Sequence, residues 1–140
     1  MRVISIGFVR KLEKNPDLSM LGAYSLEPVD GAIDRQAMGH WVKGELRYFV
    51  PANPETADLD YQRMEEYGYF WDSLECYAEA VVEVCGSMQS IRSTGLCGVE
   101  SDSDPGYFEV IKEAEMDHLY HILAALGIKC SPVETAKGGK

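Results

Sequence analysis

The stretch from residue 70 to residue 85 alternates apolar and polar side chains with a period of two. This period places small apolar side chains on one face and glutamates on the other, which is typical of a half-buried strand in an antiparallel sheet. Cys85-Gly86-Ser87 is a turn signal, and residues 88–94 alternate in the same way. The sequence therefore predicts a hairpin over residues 70–94. Its apolar face would carry Cys76, Ala78, Ala80, Val82 and Val84.

A helical periodicity follows from Pro105 to Leu126. Ser103 or Asp104 is suited to cap this helix, Pro105 suits its first position, and Gly127 suits its end. Apolar side chains recur at spacings of three and four residues, which predicts one inward-facing side. The predicted inward positions are Tyr107, Phe108, Ile111, Ala114, Leu119, Ile122, Ala125 and Leu126.

Weaker patterns predict the remaining elements. Residues 2–9 and 44–50 have the composition of strands, and residues 57–67 that of a helix ended by Gly68. Leu59, Met64 and Tyr67 are its predicted inward positions. The sequence thus predicts an α+β fold, with an antiparallel sheet of three or four strands and two helices packed on it. At 140 residues, we expect a single domain over residues 1–135 and a flexible tail over residues 136–140.

The charge balance narrows the classes of partner. The formal net charge is −10, from 13 basic and 23 acidic residues. Binding to nucleic-acid phosphates or to an anionic membrane needs a positive surface, so we expect neither. A protein with a basic surface is the expected partner. No signal peptide or apolar span is evident, which predicts a cytoplasmic protein.

No pattern for catalysis or for a cofactor is present. The four cysteines lack a Cys-x-x-Cys spacing, and no glycine-rich phosphate loop or nucleophile motif occurs. Glu115 and His118 form half of a carboxylate-bridged di-iron motif, but no second Glu-x-x-His pair accompanies them. We therefore expect Glu115 to pair with Arg92 or another base, and His118 to be hydrogen-bonded in the core. The sequence favours a protein that is not an enzyme and holds no cofactor or metal.

An acidic loop precedes the long helix, and its candidate binding residues are Glu100, Ser101, Asp102, Ser103 and Asp104. Alternating oxygen ligands suit calcium, but the glycine and glutamate that an EF-hand loop requires are absent. Helix capping explains the same composition. A small-ligand or metal-binding loop over residues 95–104 is therefore kept as the alternative function.

Glu109, Glu113 and Asp117 form an acidic stripe at four-residue spacing along the long helix. Ordinary solubility accounts for such a stripe. The more specific hypothesis is a continuous negative surface that also includes Glu79 and Glu83. Such a surface would imitate the phosphates of a nucleic acid and occupy a basic groove of a partner.

Several segments together resemble a widespread group of small acidic proteins encoded by bacteriophages and mobile elements. Their most specific part is the run Glu-Ser-Asp-Ser-Asp at residues 100–104. This chain departs from the group at Glu75-Cys76-Tyr77, where Gly-Ile-Arg is usual, and at Cys97, where a large aromatic residue is common. The segments are residues 17–24, 31–35, 47–53, 61–65, 78–80 and 95–104, followed by the closing helix.

The resemblance implies a genetic setting rather than a mechanism. Together with the charge, it predicts a non-enzymatic accessory protein that binds and inhibits a host protein complex. Anti-defence inhibition and nucleic-acid mimicry are the two versions of this prediction.

Overall fold

The structure is a computed structural model that describes residues 1–129. Two compact units are formed. The first runs over Met1–Lys14 and Asp72–Lys140, of which residues up to 129 are described, and the second is Asn15–Trp71. The single domain expected over residues 1–135 stays a prediction. Cys130 and the predicted tail at 136–140 lie outside the described residues.

Antiparallel strands and two α-helices make up the described chain, which confirms the α+β fold class. No helix within residues 1–129 is long and apolar enough to cross a membrane. A short 3-10 helix, Pro54–Thr56, leads directly into the first α-helix. The strands are β1 (Arg2–Leu12), β2 (Gly22–Ser25), β3 (Ile33–Asp34), β4 (Tyr48–Pro51), β5 (Ser73–Val84), β6 (Ser87–Arg92) and β7 (Leu96–Glu100), and the helices are α1 (Ala57–Glu66) and α2 (Pro105–Ala125).

Strand β5 is the centre of the first unit. Strand β1 pairs with it along one edge, while β6 and β7 share the other edge. The predicted hairpin of β5 and β6 is confirmed. Cys85 and Gly86 connect these strands with φ angles of 51° and 80°, the left-handed pair that a two-residue type I′ turn requires. Residues 96–100, expected to belong to a loop, instead form β7.

Helix α2 packs on the predicted apolar face of β5. Ala78, Ala80 and Val82 are fully buried there, and their small side chains let the helix approach the sheet closely. Burial of one leucine side chain stabilises such a core by roughly 1.5–3 kcal/mol. The helix residues buried in the first unit are Phe108, Ile111, Met116, Leu119 and Leu123.

The predicted orientation of α2 was partly wrong. Phe108, Ile111 and Leu119 face inward as expected, but Tyr107 and Leu126 are 47% and 52% exposed. Ala114 and Ala125 are also exposed. Apolar residues surround most of this helix, so spacing alone did not select the correct stripe. Its ends were predicted correctly: the side chain of Asp104 accepts a hydrogen bond from Gly106 N–H at 2.7 Å, and Gly127 has a φ of +76°.

A break between β6 and β7 is closed by the carboxylate of Glu115. Its Oε1 accepts hydrogen bonds from Ser93 Oγ at 2.7 Å and from the Gly95 N–H at 2.8 Å. Ser93 is buried and also pairs with the backbone of Ala78 through both its N–H and its hydroxyl. The ladder continues across the interruption because side-chain acceptors replace the missing strand partner.

The expected pairing of Glu115 with Arg92 is therefore wrong. Arg92 lies opposite Glu79 in the sheet register, on the face turned away from α2, and its Nη2 donates to Glu75 at 2.8 Å. His118 is half-buried, and its Nδ1 accepts from the Thr94 N–H at 3.4 Å. Both residues of the di-iron half-motif thus hold the β6–β7 connection against the helix.

The second unit is built from a three-stranded sheet in the order β2–β4–β3, with α1 in contact with β4 and β2. Phe49, Tyr61 and Trp71 are its buried hydrophobic residues among those described. The inward position predicted for Leu59 is wrong, because this side chain is 70% exposed. Gly22 has a φ of +147°, and a Cβ there would overlap the Val50 carbonyl.

The hydrogen bonds of Glu115 predict that its removal lowers the free energy of unfolding more than removal of Glu113, on the same helix, does. Glu115→Ala leaves the buried Ser93 hydroxyl and the Gly95 N–H without their acceptor, so the free energy of unfolding is expected to fall by about 2 kcal/mol. Glu113→Ala changes an exposed side chain of the same helix and is expected to alter it by no more than about 0.5 kcal/mol. Urea denaturation of both variants measures this, and equal losses would contradict the assigned role.

Candidate functional site

A buried ion pair lies at the centre of the second unit. The guanidinium of Arg35 donates from Nε to Glu65 Oε2 at 3.0 Å and from Nη2 to Glu65 Oε1 at 3.2 Å. Its Nη1 donates to the Leu46 carbonyl at 2.7 Å. Arg35 is 8% exposed, so water contributes little to its solvation. The geometry is the two-pronged arrangement that gives arginine–carboxylate pairs their strength and direction.

Tyr24 completes the solvation of this pair. Its hydroxyl donates a short hydrogen bond to Glu65 Oε2, and its ring lies 4.5 Å from the Arg35 guanidinium carbon. Burial, reinforced by the adjacent Glu65 carboxylate, raises the pKa of Tyr24 far above its ordinary value. The phenol therefore stays protonated and acts as a donor.

His40 and Tyr61 extend the network towards solvent. The His40 Nδ1 lies 2.5 Å from the Tyr61 hydroxyl and 3.9 Å from Glu65 Oε1. The Tyr61 side chain is buried, and this burial raises its pKa, with a further contribution from Glu65. The His40 side chain is 46% exposed. One end of the network thus reaches the surface.

Short elements bring these residues together from distant parts of the sequence. Tyr24 lies on β2, Arg35 follows β3 directly, and Tyr61 and Glu65 are one turn apart on α1. A second arginine–carboxylate pair lies next to Arg35, at the end of β3. Arg47 donates to both oxygens of Asp34 at 2.8 Å. The hydrogen bonds from Arg47 lower the pKa of Asp34 to about 2.

Two cavities of the second unit share His40 and Glu65 in their linings. Their volumes are about 560 Å³ and 580 Å³. Tyr69 and Phe70, in the connection after α1, are 85% and 77% exposed, and each lines one cavity. Exposed aromatic rings beside carboxylates are suited to hold a cationic or aromatic group.

Internal pairing decides which charged groups of the two cavities can meet a ligand. Within residues 1–129, no group of three or more His, Cys, Asp or Glu side chains is placed to hold a metal ion. The Arg35 guanidinium, which could otherwise bind an anion, is occupied by Glu65 and by the Leu46 carbonyl. The charges that remain for a ligand in the cavity linings are mainly carboxylates.

The acidic loop predicted as a binding site has structural roles at most of its positions. Ser101 exchanges two hydrogen bonds with the backbone of Asp72, at 2.7 and 2.8 Å. Ser103 Oγ donates to the Glu100 carbonyl at 2.6 Å, and Asp104 caps α2. Ser101 and Ser103 thus fix the turn, which gives a physical reason for serines alternating with acids. Asp102 is exposed. The small-ligand function of this loop stays a prediction.

The acidic stripe is exposed, but it is not continuous with the strand acids. Glu109, Glu113 and Asp117 all lie on the solvent side of α2. Glu79 and Glu83 alternate with the β5 residues that α2 covers, so they lie on the opposite face of the sheet. The prediction of one continuous negative surface that joins the stripe on α2 to Glu79 and Glu83 is therefore wrong.

The polar network of the second unit is not visible in the periodicity of the sequence. Local periodicity detects residues that share one face of one element, whereas Arg35 and Glu65 are 30 residues apart. The segments on which the expected resemblance depends include Tyr24, Arg35, Tyr61 and Glu65, but that resemblance stays a prediction. No protein-family model, curated protein or solved structure matches the chain.

The buried pair predicts strong coupling between two substitutions. Arg35→Met or Glu65→Met alone leaves a buried charge without its partner, so each is expected to lower the free energy of unfolding by about 3–5 kcal/mol. The double variant is expected to lose less than the sum, with a coupling energy above about 1 kcal/mol. Both tryptophans, Trp41 and Trp71, lie in the second unit, so fluorescence-detected urea unfolding reports on this unit.

Asp34→Asn is the matched control for the Arg35 and Glu65 variants, because it breaks a similar but more exposed arginine–carboxylate pair. A much smaller loss is expected, since water solvates the Arg47 that remains. Additive losses from Arg35→Met and Glu65→Met would contradict the coupling.

Tyr24 predicts a pH dependence at the alkaline end. Its pKa is raised in the folded protein from an ordinary value of 10.0, so its contribution to stability is complete below about pH 10 and is lost as the pH rises above it. Tyr24→Phe is expected to be less stable by about 1 kcal/mol near neutral pH. The difference from the parent protein should stay constant up to about pH 9 and narrow from about pH 10 to about pH 11. Tyr69→Phe, which removes an exposed hydroxyl, is the control, and a constant difference for Tyr24→Phe would contradict the prediction.

Proposed function

We propose that the protein is a non-enzymatic accessory protein of the bacteriophage or mobile-element type. It binds a host protein through a basic surface of that partner and inhibits the complex to which the partner belongs. The observation that carries this proposal is the composition of the solvent face of α2, where carboxylates lie beside exposed apolar side chains.

The solvent face of α2 has the composition of a protein interface. Tyr107 and Val110 are 47% and 63% exposed, and Ala114 and Asp117 continue the same stripe at helical spacing. An apolar centre with charged residues at its rim is a common arrangement in interfaces between proteins. Solubility alone explains the carboxylates, and the proposal adds a role for the adjacent exposed surface of Tyr107 and Val110, which lie one turn apart.

The rim of this face is acidic. Glu109 and Glu113 lie along one side of the stripe, and the net charge of the chain is −10. A basic partner surface would meet complementary potential here, which increases the rate of association and selects against acidic partners. This complementarity is the reason for proposing a basic host protein. The partner would be inhibited because the surface it needs for its own activity is occupied.

The test is a purification of partners from the host, using the full chain as bait at about 50 mM and about 500 mM salt. A specific partner is expected at low salt and should be reduced at high salt. Glu113→Lys with Asp117→Lys is expected to abolish its capture. Glu27→Lys with Asp30→Lys changes the net charge equally on an exposed turn of the second unit and should leave capture intact.

The captured complex, purified separately, is then assayed for its own activity with and without the added protein. Loss of that activity, prevented by the charge reversal on α2, supports the proposal. Capture that both charge-reversal variants weaken equally would reduce the effect to non-specific attraction and overturn it.

A further inference from the structure

We propose that the cavity lined mainly by one face of α1 is a receptor for the guanidinium group of an arginine side chain in a partner protein. This cavity, called the α1 cavity below, has a volume of about 560 Å³. The inference rests on the proposed function, because it names the chemistry of the partner segment that the second unit would hold.

Helix α1 supplies most of the lining of the α1 cavity. Asp58, Tyr61, Gln62, Glu65 and Glu66 follow one another at helical spacing, so they share one face of the helix. The remaining lining residues are Met38, His40 and Phe70. The volume lies within the range of cavities that enclose small ligands, about 300–1,000 Å³. It is ample for one arginine side chain with the backbone on either side.

The charge of the lining selects a cation. Among residues 1–129, three carboxylates, those of Asp58, Glu65 and Glu66, line the α1 cavity, and no lysine or arginine does. The Glu65 charge is matched by Arg35 behind it, so Asp58 and Glu66 are the groups that act on an occupant. An anion would be repelled here, and an apolar ligand would remove these carboxylates from water without compensation.

The aromatic groups select the guanidinium among cations. Phe70 is 77% exposed beside the carboxylates, and the Tyr61 ring forms part of the wall. A guanidinium is planar, so it can stack on a ring while it donates two parallel hydrogen bonds to a carboxylate. An ammonium ion is compact and strongly hydrated, and it makes no such bidentate contact.

The wall of the α1 cavity is held in place before any ligand binds. Tyr61 is fixed by its hydrogen bond to His40, and Glu65 by Arg35 and Tyr24. Side chains that are already ordered lose little conformational entropy on binding. The buried network of the second unit is thus the support of the receptor rather than the receptor itself.

Short capped amino acids test the inference without the host partner. In a titration of the isotope-labelled full chain monitored by NMR, acetyl-arginine amide is expected to shift the backbone signals of residues 58–70 and to saturate at up to about 10 mM. Acetyl-lysine amide should bind at least about fivefold more weakly, and acetyl-citrulline amide, the uncharged isostere, should not saturate in this range.

Asp58→Asn with Glu66→Gln is expected to weaken the binding of acetyl-arginine amide by at least about fivefold. Glu27→Gln with Asp30→Asn removes the same charge outside the cavity lining and should leave it unchanged. A parent-like amide spectrum for each variant shows that it is folded.

Unsaturable shifts, or equal binding of the arginine and citrulline probes, would overturn the inference. Equal binding of the lysine probe would overturn the choice of guanidinium. These outcomes are separate from those of the proposed function: capture of a host protein that depends on Glu113 and Asp117 can persist when the α1 cavity binds no arginine.

Discussion

The ion pair between Arg35 and Glu65 is the interaction on which the second unit depends. Few apolar side chains are buried in this unit, and Phe49, Tyr61 and Trp71 alone cannot fix four short elements in place. A buried pair contributes little net stability, because desolvation offsets its attraction. Its directional hydrogen bonds, however, allow only one position of β3, α1 and the Leu46 carbonyl. The pair therefore contributes more to the specificity of the arrangement than to its stability.

Apolar packing between β5 and α2 organises the first unit, and polar groups bridge the break between β6 and β7. Strand β5 presents a continuous apolar face to α2. The packing on this face holds the helix against the sheet. Where β6 ends and β7 begins, the ladder lacks a partner, and Glu115 supplies it. One carboxylate thus allows two strands to share an edge of β5. The same residue type that gives the chain its negative charge is also part of the internal framework.

The sequence predicts those strands and helices that are determined by residues close together in the chain. The alternation in β5 and the capping of α2 at Asp104 depend on neighbours in the chain, and both were found. The inward position predicted for Leu59 is wrong because α1 turns Tyr61 and Glu65 inward instead. On this side of the helix a polar network takes the place of an apolar stripe. The α1 cavity was not predictable for the same reason, since its support joins residues up to 41 positions apart. Periodicity carries no information about such pairings.

A net charge of −10 is not in itself evidence of a negative binding surface. Glu65 and Glu115 accept internal hydrogen bonds, Asp104 caps a helix, and Asp34 is paired with Arg47. These acids have internal structural roles, so the number of acidic residues alone does not describe a binding surface. The proposed binding surfaces depend instead on where carboxylates lie beside exposed apolar or aromatic groups, on the solvent face of α2 and around the α1 cavity. Binding of a partner would remove this apolar surface from water, which favours association, while the neighbouring carboxylates would select the charge of that partner.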